Sequence, residues 1–240
     1  MLVLLFDTST PFSTIGWVRF RDDHVNSELV EFASVFMPAR PGHAEVLLDR
    51  ISASLASGGY SIKDVGLIVH GLGPGTFTGL RIGMSTVKAF HLSSGIPSVG
   101  LSTLAIQAAS ARCEGTVVSL VDARRSELYV GAYRVEGTDD TAVVEPLMDE
   151  CVLPLNEVIP ALASASISGP YVFAGNGATV YRDMFEGAGT ILPIGRLPFD
   201  VTWMARAGVR RFRTEGPDDP GVTEPVYLRA PDAKLPGEKK

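Results

Sequence analysis

Thirteen residues, GLGPGTFTGLRIG from Gly71 to Gly83, hold five glycines and one proline and follow directly on the apolar run Val65–His70. A strand that runs into so many glycines and then into a helix-like segment constrains the fold more than any other part of the chain. It calls for an α/β unit in which backbone approaches backbone more closely than a Cβ atom allows. Such a turn can hold a phosphate at a helix N-terminus, or it can pack the helix tightly on its sheet. The spacing argues against the first use. A P-loop needs G-x-x-x-x-G-K-[ST], and Leu80 and Arg81 stand where Lys and Ser or Thr would follow. The dinucleotide pattern G-x-G-x-x-G is missed by one residue, with no evident ribose-binding acid downstream. The tight-packing reading is preferred.

The segment after the loop, Gly79–Leu92, has helical spacing. Leu80, Gly83, Met84, Val87 and Phe90 lie along one side, while Ile82, Ser85, Thr86 and Ala89 lie on the other. Only Arg81 and Lys88 are charged. A helix that is apolar or small on two sides is covered twice, once by its own sheet and once by another helix or a partner. The larger side chains fill a core better, so the Ile82/Ser85/Ala89 side is the expected contact surface.

Upstream, Leu2–Phe6 is a continuous apolar run of the kind covered on both faces. It ends at Asp7, too short for a signal peptide or a transmembrane helix. Ser13–Phe20 and Leu29–Met37 read as strands. His43–Ala56 reads as a helix with Val46, Leu47, Ile51 and Leu55 on its apolar stripe. Pro97–Gly100 is a short strand, and Ser102 caps a helix reaching about Arg112. The pattern then restarts. Thr116–Val121 is apolar and ends in Asp122, Glu127–Val135 alternates, and Thr141–Val152 contains another strand. Pro154–Leu162 reads as a short helix, Tyr171–Ala174 as a strand, Gly175–Phe185 as turn and helix, and Val201–Phe212 as a last helix. Two units that each open with an apolar strand ending in aspartate imply paired α/β domains with a cleft between them.

Composition narrows the function classes. The 240 residues carry a net charge of −6, so nucleic acid is not attracted by overall charge. Two cysteines, Cys113 and Cys151, make no disulfide framework and point to a reducing, cytoplasmic setting. The histidines are His24, His43, His70 and His91. No pair has i, i+4 spacing, there is no H-E-x-x-H, and His43 with Glu45 gives poor ligand geometry, so no metal site is expected. There is no G-x-S-x-G elbow, and neither cysteine has a base near it in sequence. No catalytic residue is assigned.

GLGPGTFTGLRIGMSTVKAF, together with LLFDTST, PGHAEVLLDRI, GIPSVGLSTLAIQA, SLVDARRSELYVGAY and EPVYLR, resembles the bacterial TsaB (YeaZ-like) family. The resemblance covers most of Met1–Tyr133 and the stretch Glu224–Arg229, and is faint in between. It implies an actin-like, Hsp70-like ATPase fold of two RNase-H-like domains in tandem. The expected boundaries are 1–112 and 113–221, with 222–230 packing back on the first domain and 231–240 as a flexible tail. It also implies a non-catalytic subunit that binds and activates the TsaD transferase, with TsaE, in forming N6-threonylcarbamoyladenosine beside the tRNA anticodon. The tRNA would be met only through the complex. The free protein would be a homodimer, and no membrane would be involved. The partner surface would lie on the two N-terminal-domain helices, with His43, Glu45, Asp49, Ile82, Ser85, Lys88 and Ala89 as its residues.

An active ATPase of this fold needs a turn of the form D-x-G-[ST] in each half. Asp7-Thr8-Ser9-Thr10 has Ser9 in the glycine place, and Asp122-Ala123-Arg124-Arg125 has an arginine there. Asp7, Ser9, Thr10, Asp122, Arg124 and Arg125 therefore mark a vestigial nucleotide cleft. No cofactor is expected, although weak nucleotide or anion binding stays open. Arg124 and Arg125 either contact an anion or pair with Asp7, Asp122 or Glu127. The alternative reading is an active phosphotransferase, or a glycoprotease-like peptidase of the same superfamily.

Overall fold

The computed structural model describes residues 1–22, 24, 27–38, 43–192 and 199–229, and for 43–45 the backbone only. The expected tail 231–240 lies outside the described residues. The first sheet is built from β1 (Leu2–Asp7), β2 (Phe12–Phe20), β3 (Leu29–Pro38), β4 (Val65–Gly73) and β5 (Ser98–Ser102), in the order β3-β2-β1-β4-β5. β1–β2 and β2–β3 are antiparallel, whereas β1–β4 and β4–β5 are parallel.

The second sheet contains β6 (Gly115–Asp122), β7 (Glu127–Glu136), β8 (Val143–Pro146), β9 (Cys151–Pro154), β10 (Tyr171–Ala174) and β11 (Gly189–Ile191). Its order is β11-β10-β6-β7-β8, with β9 also paired to β7. The opening strand of each half sits centrally, with an antiparallel meander on one side and parallel strands on the other. This is the tandem RNase-H-like arrangement of the actin-like fold. Two elements depart from the sequence reading. Thr141–Val152 holds the whole of β8 and the start of β9, and β11, only three residues long, has no periodicity to reveal it.

The helices are α1 (His43–Ser57), α2 (Phe77–Ser94), α3 (Thr103–Ser110), α4 (Val158–Ser164), α5 (Asn176–Val180) and α6 (Val201–Glu215). The apolar run of β1 serves two cores, as its lack of alternation requires. Leu2, Leu4 and Phe6 join Ile15, Trp17 and Ile68 under Leu47, Ile51 and Leu55 of α1 and Val87 of α2. Val3 and Leu5 face the other way, with Val18, Leu67, Val69 and Val99, against Val201, Met204, Ala205 and Val209 of α6 and Ile106 of α3. α3 turns Leu104 and Ala108 to Val117, Val121 and Tyr133 of the second sheet. α4 and α5 cover the far face of that sheet through Val158, Leu162 and Ala178. The layers thus run α1/α2, sheet, α3/α6, sheet, α4/α5.

The division at 113–221 assigns the last helix to the second domain, yet α6 completes the core of the first sheet. Gly208 of α6 lies on Val69 at a spacing that leaves no room for a Cβ atom.

Candidate functional site

The glycine-rich loop closes on the chain itself. A Cβ atom at Gly71 would overlap the Asp7 carboxylate, and one at Gly75 or Gly79 would overlap the backbone of Ser9 or Thr8. The gap is closed by hydrogen bonds. Thr76 N–H donates to the Ser9 carbonyl (2.6 Å), and the Thr8 hydroxyl donates to the Gly79 carbonyl (2.7 Å). Thr76 caps α2 by accepting from Gly79 N–H, and Gly95 ends the helix in the left-handed region at φ 68°. The glycines are therefore used for close packing, as the spacing suggested. The helix begins at Phe77, two residues before the Gly79 start expected for it.

The first aspartate turn is filled by protein groups. Asp7 Oδ1 accepts from Ser9 N–H (2.8 Å) and the Ser9 hydroxyl (2.6 Å), and Oδ2 accepts from the Thr103 hydroxyl (3.0 Å). Burial pushes the Asp7 carboxyl above the ordinary carboxylate range, against the pull of these hydrogen bonds. The Thr10 hydroxyl donates to the Phe12 carbonyl (2.7 Å). Asp7, Ser9 and Thr10 are all buried, and the bonds of Asp7 and Ser9 to Thr103 join β1 to the start of α3.

At the second turn, Asp122 Oδ1 accepts from Arg124 N–H (2.8 Å) and lies 3.4 Å from the Tyr181 hydroxyl. Arg124, Arg125 and Ser126 have φ of 62°, 56° and 60°, a left-handed run of three non-glycine residues. Glu127 pairs with Arg229, and the Arg229 guanidinium also donates to the Ala123 carbonyl (2.7 Å). Glu127 is thus met by an arginine from far along the chain, and Asp7 by the Ser9 N–H and the hydroxyls of Ser9 and Thr103.

On the outer face, α1 and α2 leave a groove of about 440 Å³ lined by Leu48, Phe77, Thr78, Arg81, Ile82, Ser85, Thr86 and Ala89. Leu80, Gly83, Met84 and Val87 turn to the sheet, as expected, whereas Ser85 and Ala89 are exposed and Ile82 is half-buried. Thr86, placed on the outer side by spacing, is buried, with its hydroxyl on the Ile82 carbonyl (2.9 Å). Val46, placed on the buried stripe of α1, is exposed instead, because Leu47, Ile51 and Leu55 already fill that line. Asp49 is exposed on α1, and Lys88 pairs with Glu224 at 3.4 Å. The His43 and Glu45 side chains lie outside the described residues. Sequence reading missed Leu48, Phe77 and Arg81. An apolar Leu48 off the α1 stripe was the available signal for the first. The Arg81 guanidinium lies 4.0 Å from the Phe77 ring centroid at the groove wall.

Other reactive groups are subdued. Burial raises the Cys113 and Cys151 thiols, away from thiolate character. His70 is buried beside Phe6, and burial lowers it to about 4. Among the described residues no cluster of three or more His, Cys, Asp or Glu side chains could hold a metal ion, and no helix is long and apolar enough to cross a membrane.

A family model described as TsaD, tRNA N6-adenosine threonylcarbamoyltransferase, matches residues 37–205. An uncharacterized Mycobacterium tuberculosis protein is 32% identical over 97% of this chain and 93% of its own. The Escherichia coli tRNA threonylcarbamoyladenosine biosynthesis protein TsaB is 28% identical, with 100% of both chains covered. Among solved structures, a Pseudomonas aeruginosa protein described as similar to peptidase YEAZ superposes with a TM-score of 0.75 at 28% identity, covering 95% of this chain and 99% of that one.

Proposed function

The chain belongs to the TsaB (YeaZ-like) family, and from that premise we propose that it is a subunit without chemistry of its own in forming N6-threonylcarbamoyladenosine on tRNA. Its task in this reading is to bind and activate a TsaD-type transferase, with TsaE, and to meet tRNA only through that complex. The observation that carries the proposal is the open apolar groove between α1 and α2, set against two aspartate turns already occupied by protein groups. Ser9 and Thr103 take up the Asp7 carboxylate, and the N–H of Thr76 is spent on Ser9. These are the groups a phosphate would need, so no nucleotide is assigned as a cofactor. Among the described residues the peptidase reading finds neither an activated thiol nor a cluster of three or more metal-ligating side chains to support it.

In the free chain the groove leaves Leu48 and Phe77 about half exposed (49% and 48%). Exposed apolar patches of this kind seek cover, and a two-fold homodimer through α1 and α2 is the proposed resting form. The test is Ala89→Glu. Ala89 is exposed, so the variant should melt like the parent. Titrated calorimetrically against the TsaD-type transferase, it should lose about 2–5 kcal/mol of binding, the cost of a buried unpaired charge. It should also sediment as a monomer where the parent is a dimer. Unchanged affinity with unchanged melting would remove the groove from the interface.

A further inference from the structure

The segment from Thr223 to Arg229 crosses from the groove to the second aspartate turn, and its contacts form one continuous path. Glu224 pairs with Lys88 of α2, Pro225 is buried, and Val226 N–H donates to the Leu72 carbonyl (2.8 Å). Gly73, at φ 107°, leaves room for the Val226 carbonyl, which a Cβ atom there would approach to 2.9 Å. The Tyr227 ring lies 5.6 Å from the ring of Phe77, a wall of the groove. Two residues on, Arg229 holds the carbonyls of Ala123 (2.7 Å) and Arg124 (3.5 Å) and pairs with Glu127. Residues 223–227 have no helical or sheet structure of their own, so these few contacts define the position of the segment.

We propose that Glu224–Arg229 is a strap coupling the α1/α2 groove to the Ala123–Glu127 turn. Tyr227 and Arg229 are two residues apart, within about 7 Å along the chain, too little slack to absorb a shift of Tyr227 without moving Arg229. The turn at the other end is poised to respond. Three successive left-handed residues without glycine persist only where surrounding contacts hold them, and Arg229 supplies such contacts from outside the turn. Whatever displaces or fixes Phe77 therefore loosens or tightens the turn. The coupling rests on contacts within one chain and does not depend on the identity of the groove's occupant.

Amide hydrogen exchange of the full chain, read by mass spectrometry over residues 122–128, tests it. Arg229→Gln should speed exchange there about tenfold or more. Tyr227→Ala and Phe77→Ala should each speed it in the same direction, and the double variant should add little beyond either alone. Peptides of β1, and of β6 up to Val121, should exchange as in the parent in all four. Tyr227→Phe, which keeps the ring, should behave as the parent. If Phe77→Ala proves poorly folded by melting, Phe77→Leu takes its place. Parent-like exchange at 122–128 in the Phe77 and Tyr227 variants, with Arg229→Gln alone faster, would reduce Arg229 to a local clamp and overturn the strap. Parent-like exchange in Arg229→Gln as well would overturn it outright. A parallel titration with the TsaD-type transferase reports the groove reading separately. Binding without slower exchange at 122–128 contradicts the coupling alone, and absence of binding contradicts the partner alone.

Discussion

Gly79 and His70 carry the sharpest consequences of single side chains. Gly79 faces the Thr8 carbonyl, a backbone atom that cannot rotate away. Gly79→Ala should cost about 1–3 kcal/mol or somewhat more, the usual penalty for overpacking. Gly187, with nothing near its missing Cβ atom, should accept alanine with little change. Thermal or urea melts of the two variants side by side check the contrast. His70 gives a pH signature. Its folded-state value of about 4 lies below the ordinary histidine value of 6.5, so between these values the unfolded chain binds the extra proton and stability falls as pH drops. The His70 contribution is whole above about pH 6.5, is lost progressively down to about pH 4, and is flat below that. The raised Asp7 acts in the opposite sense at the acid end, since its folded form takes up a proton first. The difference in unfolding free energy between parent and His70→Gln isolates the histidine. It should shrink from pH 7 to pH 4 by roughly 3 kcal/mol, and a difference independent of pH would refute the assignment.

Among the elements, α6 is the one whose place matters most. It is capped by Asp200, whose Oδ1 accepts from Thr202 N–H (3.0 Å) and Trp203 N–H (3.2 Å), while Oδ2 pairs with Arg112 (2.8 Å). Asp200→Ala removes the cap and should cost about 1–2 kcal/mol, whereas Asp200→Asn keeps an acceptor and should recover most of it. Denaturant titration reads both. At its other end Arg211 donates to Asp218 (2.5 Å) and to the Gly100 carbonyl (2.5 Å), and Gly100 N–H donates to Asp218 (2.7 Å). These bonds occupy the outer edge of β5, where an open strand would otherwise present unpaired backbone groups. α2 shows the complementary design. Its inner line of Leu80, Met84 and Val87 is buried, and its outer line of Ser85 and Ala89 is small and exposed.

At the scale of the molecule, the two repeats are not independent. The face of the first sheet formed by Val3, Leu5, Val18, Leu67, Val69 and Val99 is covered by a helix that arrives only after the second sheet is complete. At about 1.5–3 kcal/mol per buried apolar side chain, that cover is worth on the order of 10 kcal/mol, comparable with the whole stability of a domain. A fragment of residues 1–112 should therefore lack a cooperative thermal transition and bind a hydrophobic dye. The chain through residue 229 should melt cooperatively. A sharp transition in the fragment would mean that the first repeat closes its own core.

Local pattern sufficed for most elements, because strand alternation, helical spacing and glycine stops are properties of neighbouring residues. Leu2–Phe6 read as a doubly covered strand, Ser102 as a helix cap, and the Leu80/Met84/Val87 line as the buried side of α2, and the structure agrees with each. Residues separated by a long stretch of chain were decided by tertiary structure. Periodicity could not tell Val46 from Leu47 as the stripe that packs, nor show that Thr86 turns inward, because the limits of a helix face depend on what lies beside it. It could not pair Glu127 with Arg229, about a hundred residues apart, or assign α6 to the first sheet. The glycine loop stands between the two cases. Sequence alone established that backbone must come close there, since only glycine tolerates such contact. Which backbone comes close, that of Thr8 and Ser9 with Val226 alongside, was settled when distant segments competed for the same space and the chain's own atoms filled it.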